Sequence, residues 1–179
     1  MEGERIARDD DRLRTWVALL RTQSAVVDGV ESELLTRHGL PLSWHEVLAR
    51  LDRSPDGAMR MQELAREVLL SKSGLTRLAD RMEDAGLIER SKCGTDRRGT
   101  FAVITEAGRQ MLEESFPAFA EAVDEHFSRH LTPDELGSLR SLLTKVLEGA
   151  GQPEDDGCTT DEAVSEASEA ARAEPQPVR

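Results

Sequence analysis

Apolar residues recur at helical spacing near the start of the chain. Leu13, Trp16, Val17, Leu20, Val27, Val30 and Leu34 lie mostly three, four or seven positions apart. These are helical spacings, interrupted around Gln23-Ser24, and they predict one long amphipathic helix from about Asp9 to His38. A helix this long in a small domain calls for a partner along its length. Gly39 and Pro41 then turn the chain. Ser43-Trp44-His45-Glu46 has capping-box spacing, so a second helix is expected to start there and run to about Arg53. Ser54-Pro55-Asp56-Gly57 is turn chemistry.

The next stretch carries two short periodic runs. Met61, Leu64, Ala65 and Val68 form the first; Leu75, Leu78, Ala79 and Met82 form the second. A tight turn at Leu69-Leu70-Ser71 joins them, which is a helix-turn-helix pattern. Ser71 suits the N-cap of the second helix, and Gly86 the position just past its end. Leu87 to Arg90 and Thr100 to Ile104 read as two strands flanking a turn rich in Gly and charge. Helix, turn, helix and two strands together predict a winged helix. Thr105 can cap a further long helix, to about His130, with a kink or loosened turn at Pro117. Thr132-Pro133-Asp134-Glu135 starts a last helix, with the stripe Leu136, Leu139, Leu142, Leu143 and Val146. The expected fold is mainly α with a small β-wing.

Charge changes this picture by segment. The chain has 179 residues and a net charge of −12. From Gly151 onward eight acids face two bases, among prolines and small polar residues. This stretch, 151–179, is expected to be a disordered acidic tail that lowers non-specific DNA binding by repulsion. Residues 1–8 are expected to be a flexible start, and 9–150 one domain. From Arg60 to Thr100, by contrast, nine bases outnumber seven acids.

Composition excludes several classes. Aromatic residues make up 3% of the chain, with no Tyr, too few for a base-stacking platform. Apolar runs are too short for a membrane helix, and the start MEGERIARDDD lacks a signal peptide's apolar segment. A cytoplasmic protein is expected, associated with the nucleoid when on DNA. Cys93 and Cys158 have no metal-type spacing. No nucleophile triad, paired carboxylates or Gly-rich phosphate loop points to an enzyme.

The candidate chemistry is nucleic-acid binding. On a helical wheel Leu75, Leu78, Ala79 and Met82 face inward. Ser71, Lys72, Ser73, Thr76 and Arg77 then offer hydroxyls and cations near a helix N-terminus, suited to phosphates and to the O6/N7 edge of guanine. Asp80 and Asp84 point the same way further along, so the N-terminal half is expected to enter a groove more deeply. Between the strands, Asp96, Arg97 and Arg98 form a charged tip flanked by Gly94 and Gly99.

The stretch LLSKSGLTRLADRMEDAGLIERSKCGTDRRGTFAVITEAGR resembles the core of the MarR family of bacterial winged-helix regulators. The matching positions are Arg81-Met82-Glu83, Gly86-Leu87-Ile88, Arg90, Asp96, Arg98, Thr105 and Gly108, with Ile104 in place of the commoner Leu. The resemblance spans roughly Leu13 to Leu147. It implies a homodimer whose long N- and C-terminal helices interlock, each subunit carrying a winged lobe at about 42–105. The dimer would bind a pseudo-palindromic operator on double-stranded DNA as a repressor. The recognition helix would enter the major groove and Arg98 the minor groove, with Asp96 bracing the tip and Arg97 on phosphate.

The resemblance also implies modulation by a small-molecule effector, for which Trp16, His38, Trp44 and His45 are candidate wall residues; a core or interface role for the two tryptophans is the competing reading. No cofactor is required. His126 and His130, four apart on the expected helix, could hold zinc, as some relatives sense zinc, or could simply favour the helix end. The alternatives are a zinc-responsive regulator of the same fold and a winged-helix protein-interaction module. Lys92 beside Cys93 could lower its thiol pKa, but the position does not match that of peroxide-sensing relatives.

Overall fold

The computed structural model of the chain describes residues 10–68, 70–92 and 100–151. The order of elements is α1 (Asp11–His38), α2 (Leu42–Arg53), β1 (Ala58–Arg60), α3 (Met61–Glu67), α4 (Lys72–Asp84), β2 (Ile88–Lys92), β3 (Thr100–Ile104), α5 (Glu106–His126) and α6 (Pro133–Gly149). Short 3₁₀ turns at Pro55–Gly57 and Ser128–His130 complete it. The segments read as a flexible start and an acidic tail lie outside the described residues, apart from Gly151.

α1 starts where Asp10 accepts a bond from the Arg12 N–H at 2.8 Å. It then runs unbroken to His38, through the gap in the apolar spacing at Gln23-Ser24. Polar residues there interrupt the apolar stripe, but neither residue removes a backbone bond, so the helix continues.

The N-terminus of α2 also departs from expectation. It begins at Leu42, with Pro41 at the cap position and no side-chain cap from its own segment. Instead the Leu42 N–H donates to Glu31 Oε2 on α1 at 2.6 Å. A carboxylate from another helix satisfies the orphan donor and meets the positive end of the helix dipole. Ser43 lies inside the helix rather than at its cap.

The winged lobe closes around one core. Val47, Leu48 and Leu51 of α2 pack with Leu64 of α3, Leu75 and Met82 of α4 and Ile88 of β2. The sheet is antiparallel in the order β1-β3-β2. β2 pairs with β3 from Ile88↔Ile104 to Lys92↔Thr100. β1, a third strand absent from the sequence reading, pairs Met59 with Ala102 and Arg60 with Phe101. Arg60 also sits over the Phe101 ring, 5.0 Å from its centroid.

Two motif residues have a structural cause. Thr105 caps α5 by accepting from the Gly108 N–H at 3.0 Å, and its hydroxyl donates to the Gly86 carbonyl at 2.7 Å. A side chain at Gly108 would put a Cβ 2.2 Å from the Leu87 carbonyl oxygen. Only glycine lets α5 leave so close to the chain entering β2.

α5 is continuous through Pro117 but ends at His126, four residues earlier than expected, because Phe127 leaves helical geometry at φ −137°, ψ −70°. His130 lies in the 3₁₀ turn beyond. His126 and His130 therefore do not share a helix face, and the spacing on which the zinc reading stood is not present. α6 starts with the expected capping box, Thr132 with Glu135 behind Pro133.

A second, smaller core joins α1 to α5 through Val30, Leu34 and Ala122. Next to it the His126 ring lies over Gly29, where an added Cβ would stand 2.6 Å from ring atoms. Alanine at position 29 would gain about 1 kcal/mol of helix propensity. The forced separation of α1 and α5 should cost about 1–3 kcal/mol. Gly29→Ala is therefore expected to lower the midpoint of thermal unfolding at fixed protein concentration; an unchanged or raised midpoint would mean that the ring moves aside freely.

The first half of α1 and most of α6 are left uncovered. Trp16 is 56% exposed, Leu142 63% and Val146 64%. No residue of α6 is buried. Among the described residues no helix is long and apolar enough to cross a membrane.

Candidate nucleic-acid interface

α4 is built to show one polar face. Leu75, Leu78, Ala79 and Met82 anchor it in the lobe. Their spacing turns Ser73, Thr76 and Arg77 outward, and all three are exposed. Ser71 caps the helix, accepting from the Gly74 N–H at 3.1 Å and sharing a hydroxyl contact of 3.2 Å with Ser73. Lys72 occupies the first position of the helix. Among the described residues no ion pair engages Arg77. The outward face thus offers hydroxyls and a guanidinium close to the positive end of a helix dipole, an arrangement suited to phosphates and base edges.

Further along α4, Asp80, Glu83 and Asp84 are exposed. Arg90 of β2 meets two of them: Nη1 lies 2.6 Å from Asp80 Oδ1 and 3.4 Å from Glu83 Oε2. Its Nη2 donates to the Thr76 carbonyl at 3.0 Å, and its backbone N–H to Glu83 Oε1 at 3.1 Å. From the sequence alone Arg90 is a motif position without an assigned contact. Asp96, Arg97 and Arg98 lie in the connection between Lys92 and Thr100, outside the described residues.

The four candidate effector residues are not brought together. Trp16 stands exposed on the first half of α1, about 20 Å along the helix from Val30 at 1.5 Å per residue. His38 is half-buried at the end of α1. Trp44 packs against the winged-lobe core, and its Nε1 is buried without a hydrogen-bond partner among the described residues. His45, on the next position of α2, joins α5 instead.

That junction contains residues the sequence did not single out. His45 Nδ1 is 3.2 Å from Ser115 Oγ, and its ring stacks on Phe119 with centroids 4.3 Å apart. Burial, then the charge of Arg53, pushes the His45 pKa down to about 4. The ring is therefore neutral at physiological pH. A small serine among apolar residues of α5 was the available clue, because a buried hydroxyl needs a partner. Glu31, Arg109 and Asp52 add further links between the lobe and the long helices, Arg109 pairing with Asp52.

Among the described residues no group of three or more His, Cys, Asp or Glu side chains could hold a metal ion.

Comparison with known proteins agrees with this geometry. A family model described as "MarR family" matches residues 38–99. The chain is 31% identical over 134 residues to the HTH-type transcriptional regulator MhqR of Bacillus subtilis, an alignment covering 75% of this chain and 90% of that protein. Among solved structures, AbsC, a MarR family transcriptional regulator from Streptomyces coelicolor, superposes with a TM-score of 0.75 at 33% identity, over 83% of this chain and 100% of AbsC. Sco3205, a MarR family regulator from the same organism solved in complex with DNA, gives 0.77 at 28% identity, over 87% and 96%. The fold, the extent of the match and the level of identity agree: the chain belongs to the MarR family of transcriptional regulators.

Proposed function

We propose that this regulator binds a pseudo-palindromic operator as a homodimer and represses transcription. The recognition helix is α4, placed in the major groove with Ser71, Lys72, Ser73, Thr76 and Arg77 toward the DNA. The connection after β2 reaches the minor groove through Arg98, with Arg97 on phosphate and Asp96 bracing the tip. The observation that carries this reading is the exposed hydroxyl and guanidinium face of α4, held rigidly by a buried opposite face. The uncovered apolar faces of α1 and α6 supply the surface between subunits. The DNA complex of Sco3205 supports the same use of the fold.

We infer that a small-molecule effector modulates this binding through the contact of α2 with α5, where His45 meets Ser115 and Phe119; that contact joins the winged lobe to the long helices. DNA binding needs no cofactor in this scheme.

The test is selection of duplexes from a random pool on the full chain, followed by fluorescence anisotropy. The selected sites are expected to contain two half-sites roughly 10 base pairs apart. Arg77→Ala should weaken binding to the selected duplex about tenfold while changing affinity for random DNA little, since a base-edge contact is worth about 1–3 kcal/mol. Equal losses on both DNAs would make Arg77 a phosphate contact. Failure to retain any duplex would overturn the reading.

A further inference from the structure

We propose that Arg90 is a positioning residue of the DNA-binding surface: it sequesters Asp80 and Glu83 so that Arg77 stays unpaired and the face of α4 can approach phosphate. This rests on α4 being the recognition helix and goes beyond it by assigning a role to a residue of the neighbouring strand β2. Four observations carry it. Asp80 and Glu83 share the exposed side of α4 with the DNA-facing residues, and their side chains are 52% and 40% exposed. Asp80 lies three positions after Arg77, the separation at which helix neighbours form ion pairs. Yet among the described residues Asp80 pairs with Arg90, across from β2, and Arg77 pairs with nothing. The Arg90 guanidinium is the least exposed of the three groups, at 25%, and is held by the Thr76 carbonyl as well as the carboxylates.

The physical consequence concerns charge and competition. A free carboxylate at position 80 would repel the DNA backbone and draw the Arg77 guanidinium sideways along the helix. A guanidinium forked between Asp80, Glu83 and the Thr76 carbonyl cancels both effects, and its planar donors suit that geometry. The Glu83 carboxylate also accepts the Arg90 backbone N–H, which ties the start of the β2–β3 hairpin to the recognition helix. Arg90 thus meets α4 twice, its guanidinium lowering the negative charge of the helix face and its backbone N–H joining β2 to Glu83.

The experiment measures affinity for a fluorescein-labelled duplex selected on the wild-type chain, in about 0.1 M salt, where charges a Debye length apart still interact. Arg90→Met is expected to weaken binding about tenfold, an effect on the scale of exposing an uncompensated charge next to phosphate. Adding Asp80→Asn and Glu83→Gln to Arg90→Met should recover most of that loss, whereas the same two substitutions in the wild-type background should change affinity less than about threefold. Recovery in the first background only is the signature of sequestration. Loss without recovery, or equal gains in both backgrounds, would overturn it, since a direct phosphate contact or a purely structural role would behave that way. Wild-type affinity in Arg90→Met would overturn it as well. Should Arg90→Met fail to fold by circular dichroism, Arg90→Lys decides: it keeps the charge but loses the planar fork, so it is expected to bind more weakly than wild type and to regain affinity when Asp80→Asn and Glu83→Gln are added, and a loss without that recovery would count against the proposal. A wild-type chain that binds no duplex at any salt concentration would fail the DNA-binding reading itself, a result distinct from a wild-type chain that binds and an Arg90→Met variant that binds equally.

Discussion

A chain carrying Leu142→Glu and Val146→Glu is expected to run as a monomer and to lose affinity for a selected operator by more than about 100-fold, the range lost when two linked binding events become one. The two residues lie one turn apart on α6, at 63% and 64% exposure. No residue of α6 is buried in its own chain, so these two exposed positions contribute little packing to the described fold. Trp16, Val17, Leu19 and Leu20 on α1 are exposed apolar side chains as well. A protein in solution rarely leaves so many large apolar side chains to water, and the common remedy is a two-fold interface. Charge on both copies of the face places like charges opposite each other across that axis. Analytical ultracentrifugation gives the assembly state and anisotropy gives the affinity. A doubly substituted chain that remains dimeric would assign the interface elsewhere. One that is monomeric yet binds the operator with full affinity would remove dimerisation from the mechanism.

The winged lobe was legible in the sequence because its helices are amphipathic over short distances. Leu75, Leu78, Ala79 and Met82 set the inner face of α4 within eight residues, and Ser71 and Gly86 mark its ends. The same holds for Thr132 and Glu135, whose capping box depends on neighbours alone. What local pattern did not reveal depends on partners far along the chain. β1 is three residues long and pairs with a strand more than forty positions away, so no hairpin signal announces it. The start of α2 is set by Glu31, on another helix. His45 and Ser115 meet across seventy positions, and Arg90 meets α4 from the strand beyond it. In each case a tertiary partner completes a polar group, and helical periodicity carries no information about partners. The corrected extent of α5 has the opposite origin. A four-residue spacing between His126 and His130 is a valid helical pattern, but Phe127 ends the helix between them.

Acid should weaken this protein through one imidazole. The His45 pKa is about 4 in the folded chain, lowered by burial first and by the Arg53 charge second, against an ordinary value of 6.5. Above about pH 6.5 both folded and unfolded chains hold the ring neutral, so the group takes nothing from stability. Between about pH 6.5 and 4 the unfolded chain binds a proton that the folded chain refuses, and stability falls. Below about pH 4 the penalty reaches its full extent, about 3 kcal/mol for a displacement of this size. The ring is buried, so little solvent softens that penalty, and Ser115 and Phe119 offer no negative charge to offset it. Urea unfolding at fixed protein concentration, at about pH 7 and about pH 5, tests the point, since a dimer's stability depends on concentration. His45→Leu removes the titration and leaves Ser115 its bond to the Leu112 carbonyl. The wild-type chain is expected to lose about 2 kcal/mol more than His45→Leu between those two pH values. The comparison cancels the many surface carboxylates, which titrate in both chains. Equal losses would show that the ring is protonated in the folded state and that the α2–α5 junction admits water. A larger loss in the wild type means that protonation acts where the winged lobe meets the long helices, at the contact of His45 with Ser115 and Phe119.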